Sequence, residues 1–205
     1  MNIGFALVTS NPFFNNLVNV ENELHDSCGF HNRLETINNI PHTTLFQGTF
    51  KEDTDYVSIL KDIRDYFVTH SLELELHFQE AVYVPHGWYF YTCKITDELR
   101  DLHLYTLELC QEHIILLPDR MNRNLGDLTE EQIDGIDRYG YRYSEKAFYP
   151  HITIGRNDEE KNDKILELLN EKLSEMPQNA EIERMTVYRM GKDGMHAETL
   201  AEIII

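Results

Sequence analysis

An α+β fold is what this chain predicts, and three observations carry it. Short β-type runs alternate with helical ones, several β runs follow each other with only a turn between them, and the helical stripes are apolar on one side only. Residues 2–9, NIGFALVT, read as a buried strand closed by Ser10-Asn11-Pro12. From Pro12 to about Ser27, Phe13, Leu17, Val20 and Leu24 recur at helical spacing, with Gly29 as the stop. PHTTLFQGTF is β-rich. Asp53 is placed to cap a helix running to about Thr69, with Tyr56, Ile59, Leu60, Ile63 and Phe67 as its stripe. LELELHFQ (72–79) alternates strictly, and GWYFYTCKI follows the Pro85-His86-Gly87 break as a second strand. Thr96 or Asp97 opens a helix to about Glu112.

Residues 113–147 are the least regular stretch, with a short helix expected from Thr129 to Ile136. The strand FYPHITIGR comes next, and Asp158 begins an amphipathic helix carrying Ile165, Leu168, Leu169 and Leu173, broken at Pro177. IERMTVYRM and HAETLAEIII flank Gly191-Lys192-Asp193-Gly194, a hairpin signal. The order is βαβαββαβαββ, with antiparallel pairs and helices on the outer faces.

The 205 residues fit one domain, 1–205, and the 22 Phe, Tyr and Trp residues argue for a folded globule. No run is long and apolar enough for a membrane span, and the start lacks a signal-peptide pattern, so no membrane partner is expected. Cys28, Cys93 and Cys110 lack metal-type spacing and read as reduced thiols in a cytoplasmic protein. A net charge of −18 disfavours long nucleic acids, because the surface repels their phosphates. A small anionic ligand or a strand end stays open, since residues 138–156 hold Arg138, Arg142, Lys146 and Arg156 against Glu145 alone.

Two triplets carry the chemistry. His42-x-Thr44 and His151-x-Thr153 each follow a proline inside strand-like text. With ten His and fourteen Thr in the chain, chance predicts somewhat less than one such triplet, and no other His has Thr two residues on. In a strand, residues i and i+2 share a face. His42, Thr44 and Phe46 are therefore expected together, as are His151, Thr153 and Gly155, the glycine leaving room for a ligand. Two imidazoles and two hydroxyls on a common cleft suit phosphodiester cleavage. A neutral His takes a proton, a protonated His gives one, and the Thr hydroxyls hold the phosphate. The design asks for no metal or cofactor, and the chain lacks HxH, HExxH or a Cys/His quartet. Tyr149, Tyr143 and Tyr141 are placed to stack on a base while Arg142 or Arg156 meets phosphate. His70, His77, His86, His103 and His113 read as structural, and Trp88 as core.

PHTTLFQG and PHITIGR resemble the paired His-x-Thr/Ser motifs of the two-histidine (2H) phosphoesterase superfamily, which includes the RNA ligase-like (LigT-like) cyclic phosphodiesterases. Arg156 falls where members that read PHITL-x-R carry their Arg. The resemblance implies a bilobal fold in which two antiparallel sheets face a central cleft, each giving one motif. It also implies that His42 and His151 are the acid/base pair, with Thr44 and Thr153 holding phosphate. The expected substrate is a small 2′,3′-cyclic phosphate or 2′–5′-linked nucleotide, or an oligonucleotide end. The alternatives are a cyclic-oligonucleotide signal on the same fold, a module that binds nucleotide phosphate without cleaving it, and a structural or adaptor protein with an acidic surface.

Overall fold

The computed structural model describes residues 1–70, 75–117, 128–158 and 162–205. The chain forms β1 (Asn2–Thr9), α1 (Phe13–Cys28), β2 (Thr43–Thr49), α2 (Tyr56–Thr69), β3 (Glu75–Val84) and β4 (Trp88–Cys93). There follow α3 (Asp97–Gln111), α4 (Glu130–Tyr139), β5 (His151–Arg156), α5 (Asp163–Ser174), β6 (Asn179–Met190) and β7 (His196–Ile204). The α+β class is as expected, and the helix ends follow their local chemistry. Gly29 closes α1 in the left-handed region (φ 63°), which a residue without Cβ enters at no steric cost. Thr96 caps α3 by accepting from the Leu99 amide. Thr129 and Gln132 form a reciprocal capping box that starts α4, and this helix continues to Tyr139, past the expected Ile136.

Two caps differ from expectation. Asp55, not Asp53, caps α2, its carboxylate accepting from the Ser58 amide at 3.0 Å. Asp53 is taken up in the turn closed by the Thr54 amide on the Lys51 carbonyl. Asn162 rather than Asp158 caps α5, accepting from the Lys164 amide at 3.1 Å, while residues 159–161 lie outside the described chain. The strand expected at 72–79 is observed from Glu75 onward, its first three positions falling outside the described residues.

All strand pairs are antiparallel, in the order β2-β1-β6-β3-β4-β5, with β7 also on β6. The two sheets expected are thus one continuous sheet. The reason is β6: its first three residues pair with β3 (Asn179↔His77, Ala180↔Leu76, Glu181↔Glu75), and the rest runs between β1 and β7. Helices α2 and α3 pack on each other and on the β2/β6 part, with Tyr66 and Tyr105 stacked at 4.1 Å. Helices α1 and α5 cover the β3/β5 part, where Phe13, Phe78 and Tyr91 stack face to face. Burying these rings removes large apolar area from water and fixes how the two parts meet. Among the described residues no helix is long and apolar enough to cross a membrane.

Candidate active site

Both triplets line one cleft. His42 precedes β2 and Thr44 lies on it; His151 and Thr153 lie on β5, paired with Thr92 and Phe90 of β4. Strict alternation fails just after each threonine. Phe5 pairs with Phe46 but Ala6 pairs with Thr44, so Leu45 is an extra residue on β2. Tyr89 pairs with Gly155 but Phe90 pairs with Thr153, so Ile154 is an extra residue on β5. Each bulge re-aims the side chains beyond it. Gln47 therefore joins Thr44 on the cleft while Phe46 goes into the core, and Arg156 joins Thr153. Gly155 departs from its expected role as well. A Cβ there would meet the Phe30 ring at 2.4 Å, so the missing side chain makes room for Phe30.

The two imidazoles are anchored alike. His42 Nδ1 donates to the Ile40 carbonyl at 2.7 Å, and His151 Nδ1 donates to the Tyr149 carbonyl at 2.6 Å. In each case a proline separates the pair, holding the residue before it extended so that its carbonyl stays beside the ring. Both hydrogen bonds set the neutral tautomer with its hydrogen on Nδ1, leaving Nε2 as the proton-accepting atom.

Beyond Nδ1 the surroundings differ. His42 Nε2 meets the Tyr188 hydroxyl at 3.1 Å. His151 lies on the Phe90 ring, centroids 3.7 Å apart and planes 15° apart, and its Nε2 has no protein partner among the described residues. Burial pushes the His151 pKa down to about 4, against the raising effect of its backbone bond, and His42 and Arg142 add smaller lowering effects. Burial also lowers His42, partly offset by its bond to Ile40. Both rings are thus neutral at neutral pH until a ligand brings negative charge to the cleft.

Arg156 enters from the end of β5. Its guanidinium pairs with Asp193 at 2.6 Å, donates to the His86 carbonyl at 3.2 Å, and lies 5.0 Å over the Trp88 ring. Trp88 is only half-buried and lines the cleft, contrary to its reading as core, because it is the first residue of β4, paired with Arg156 at the far end of β5, and its ring is covered by that guanidinium rather than by the core. Arg142 lies 5.3 Å over Tyr143, and both line the cleft with Tyr141. The Tyr149 ring is instead on a neighbouring groove with Tyr83 and Lys146, and Tyr143 borders both. The basic patch of 138–156 is therefore divided: Arg138 is taken up by Glu145 and the Tyr139 hydroxyl, whereas Arg142 and Arg156 face the cleft.

Sequence reasoning missed Gln47, Tyr188, His196 and Asp193. His196 is wholly buried, stacks on Tyr188 at 4.8 Å, and is held to about pH 4 by burial. Of the histidines read as structural, His103 is fully engaged. Its Nδ1 donates to the Leu45 carbonyl and its Nε2 accepts from the Glu145 amide, so it ties β2 to the segment that leads into the second motif.

No family model and no curated protein matches this sequence. Among solved structures, the chain is similar to the crystal structure of a phosphoesterase, at 10% identity and a TM-score of 0.47 over 100% of this chain and 98% of the other. It is also similar to Usb1 from Kluyveromyces marxianus, both with uridine monophosphate (TM-score 0.42) and in a second structure (0.44). Each of these is at 10% identity over 97% of this chain and 96% of the other. At TM-scores below 0.5 these likenesses set neither the family nor the chemistry of this chain.

Proposed function

We propose that this cleft hydrolyses a phosphodiester of a small nucleotide by proton transfer between His42 and His151. The observation that carries this reading is the matched anchoring of two imidazoles on one cleft, each with Nδ1 spent on a backbone carbonyl and Nε2 left as the proton-exchanging atom, that of His42 against the Tyr188 hydroxyl. One neutral ring takes a proton from water or a ribose hydroxyl as the new P–O bond forms. The other, protonated, gives its proton to the oxygen that leaves. Each transfer contributes roughly 10²–10⁴-fold in rate. Thr44 and Thr153 donate to non-bridging oxygens, and Arg156 and Arg142 offset the charge that builds there. The half-buried Trp88 and the tyrosines beside the cleft favour a ligand that carries a base.

The substrate class is a 2′,3′-cyclic phosphate or a 2′–5′-linked nucleotide, with a cyclic-oligonucleotide signal as the second reading. The acidic exterior favours small ligands over long strands. The test is hydrolysis, in excess EDTA, of 2′,3′-cyclic mononucleotides, 2′–5′ dinucleotides and cyclic di- and trinucleotides by wild type, His42→Ala and His151→Ala. Cleavage of one class is expected, indifferent to chelation and reduced at least about 100-fold by each substitution. Tight binding of one member without cleavage would replace this reading with a binding module.

A further inference from the structure

Tyr188 stands behind the cleft in a place prepared for it on three strands. Gly4 of β1 pairs with Gln47 of β2 on one side and with Tyr188 of β6 on the other. A Cβ on Gly4 would meet the Tyr188 ring at 2.3 Å, so the glycine lets the phenol lie across β1 and reach the first motif. The Gln47 side-chain amide Nε2 donates to the phenol oxygen at 2.6 Å and to the Gly194 carbonyl at 2.9 Å. The bulge at Leu45 is what brings Gln47 to this face. His196 stacks on the ring, and Tyr188 is fully buried.

The phenol oxygen is 3.1 Å from His42 Nε2 and 3.5 Å from Thr44 Oγ1. Because His42 Nδ1 carries its hydrogen toward Ile40, Nε2 of the neutral ring is an acceptor, and the Tyr188 O–H donates to it. The Gln47 amide occupies one lone pair of the phenol oxygen, and the other remains.

We infer that Tyr188 is a positioning residue that serves His42 in both of its protonation states, donating to the neutral ring and accepting from the protonated one. When a proton arrives at Nε2, that N–H donates to the phenol oxygen, and the phenol hydrogen turns to Thr44 Oγ1. No covalent bond other than the N–H forms, and no donor or acceptor is left over. Its value for turnover rests on the acid–base reading above; the arrangement itself does not. Hydrogen bonds to a charged partner are about twice as strong as neutral ones, so Tyr188 favours the protonated ring on balance and counters part of the burial. The other ionisable groups near this pair are His196 on β7, Tyr141 before β5, and His151 and Arg142 on the far side of the cleft. All of them stay in place when only the hydroxyl is removed.

The experiment is an NMR titration of the imidazole side chains in wild type, Tyr188→Phe and Thr44→Val. Tyr188→Phe keeps the ring over Gly4 and should lower the His42 midpoint by about one pH unit, while His151 moves much less. Thr44→Val, which leaves the phenol hydrogen nowhere to turn, should shift His42 in the same direction. At neutral pH the Nε2 nitrogen shift of His42 should move toward that of a free lone pair in Tyr188→Phe, a readout that needs no acid. An unchanged or raised His42 midpoint, or equal shifts of His42 and His151, would overturn the inference. These readouts need no substrate, so they stand or fall apart from the hydrolysis assay. If that assay finds a substrate, Tyr188→Phe should lower kcat and leave KM near wild type.

Discussion

His42 and His151 are held by the same backbone device and then treated differently. The ring of His42 meets a phenol at Nε2 and has His196 beside it, centroids 5.8 Å apart. The ring of His151 lies flat on Phe90, with Tyr143 edge-on at 5.5 Å and no protein partner at Nε2 among the described residues. One arm is embedded in hydrogen bonds, the other in aromatic rings. A polar surrounding can support a charged imidazole, whereas an apolar one penalises it. The difference teaches that the shared triplet sets where each proton-accepting nitrogen sits, and that the second layer of residues sets how readily it charges.

Acid should break both arms, and with the largest effect. His103 and His196 are wholly buried, and burial holds each to about 4 against the usual 6.5. Unfolding frees them to bind protons at the ordinary value, so the unfolded chain takes up more protons between those limits. Stability is full above about pH 6.5 and is lost as pH falls toward 4, on the order of 3 kcal/mol for each. Denaturant midpoints measured from pH 7.5 to 4.5 should fall steadily; a flat profile would contradict the neutral state of these rings.

Phe90→Ala sharpens the comparison on the aromatic side. The ring is 5% exposed, and its removal should cost about 3–5 kcal/mol in chemical denaturation. Water reaching His151 should raise its titration midpoint, with His42 nearly unmoved. Gly4→Ala acts on the other arm. Overpacking against Tyr188 should cost about 1–3 kcal/mol and disturb the His42 imidazole signal while leaving that of His151. The smallest effect is expected from Asp193→Asn. The Arg156–Asp193 pair is part-exposed, so stability should change by less than about 1 kcal/mol. Inorganic phosphate, titrated by calorimetry, should bind several-fold tighter once Arg156 loses its internal counter-ion.

Much of this was legible in the chain because it is local. Apolar spacing located α1 and α2, Thr96 or Asp97 marked the start of α3, and a short helix was expected from Thr129, where α4 begins. The two triplets announced residues that do line one cleft. The proline before each histidine was visible as well, although the carbonyl it holds in place was not. What stayed hidden depends on pairing across strands. A bulge cannot be read from one strand, because the extra residue exists only relative to a partner, and so Phe46 was expected beside Thr44 where Gln47 is found, and the space at Gly155 was expected for a ligand where Phe30 is found. Tyr188 and His196 are distant from both motifs in sequence and reach His42 only through the β1–β6–β7 register. Gly4 was the available signal, since a glycine inside an otherwise apolar strand marks close approach by another group.

The turn between β6 and β7 touches both arms. The Gly194 carbonyl receives Gln47 from one strand, and Asp193 holds Arg156 from the other. It thus behaves as a spacer that gauges the width of the opening. Lengthening or shortening Gly191–Met195 would change the distance between these two anchors and so the size of ligand admitted, a route by which the same pair of triplets can be matched to a different guest.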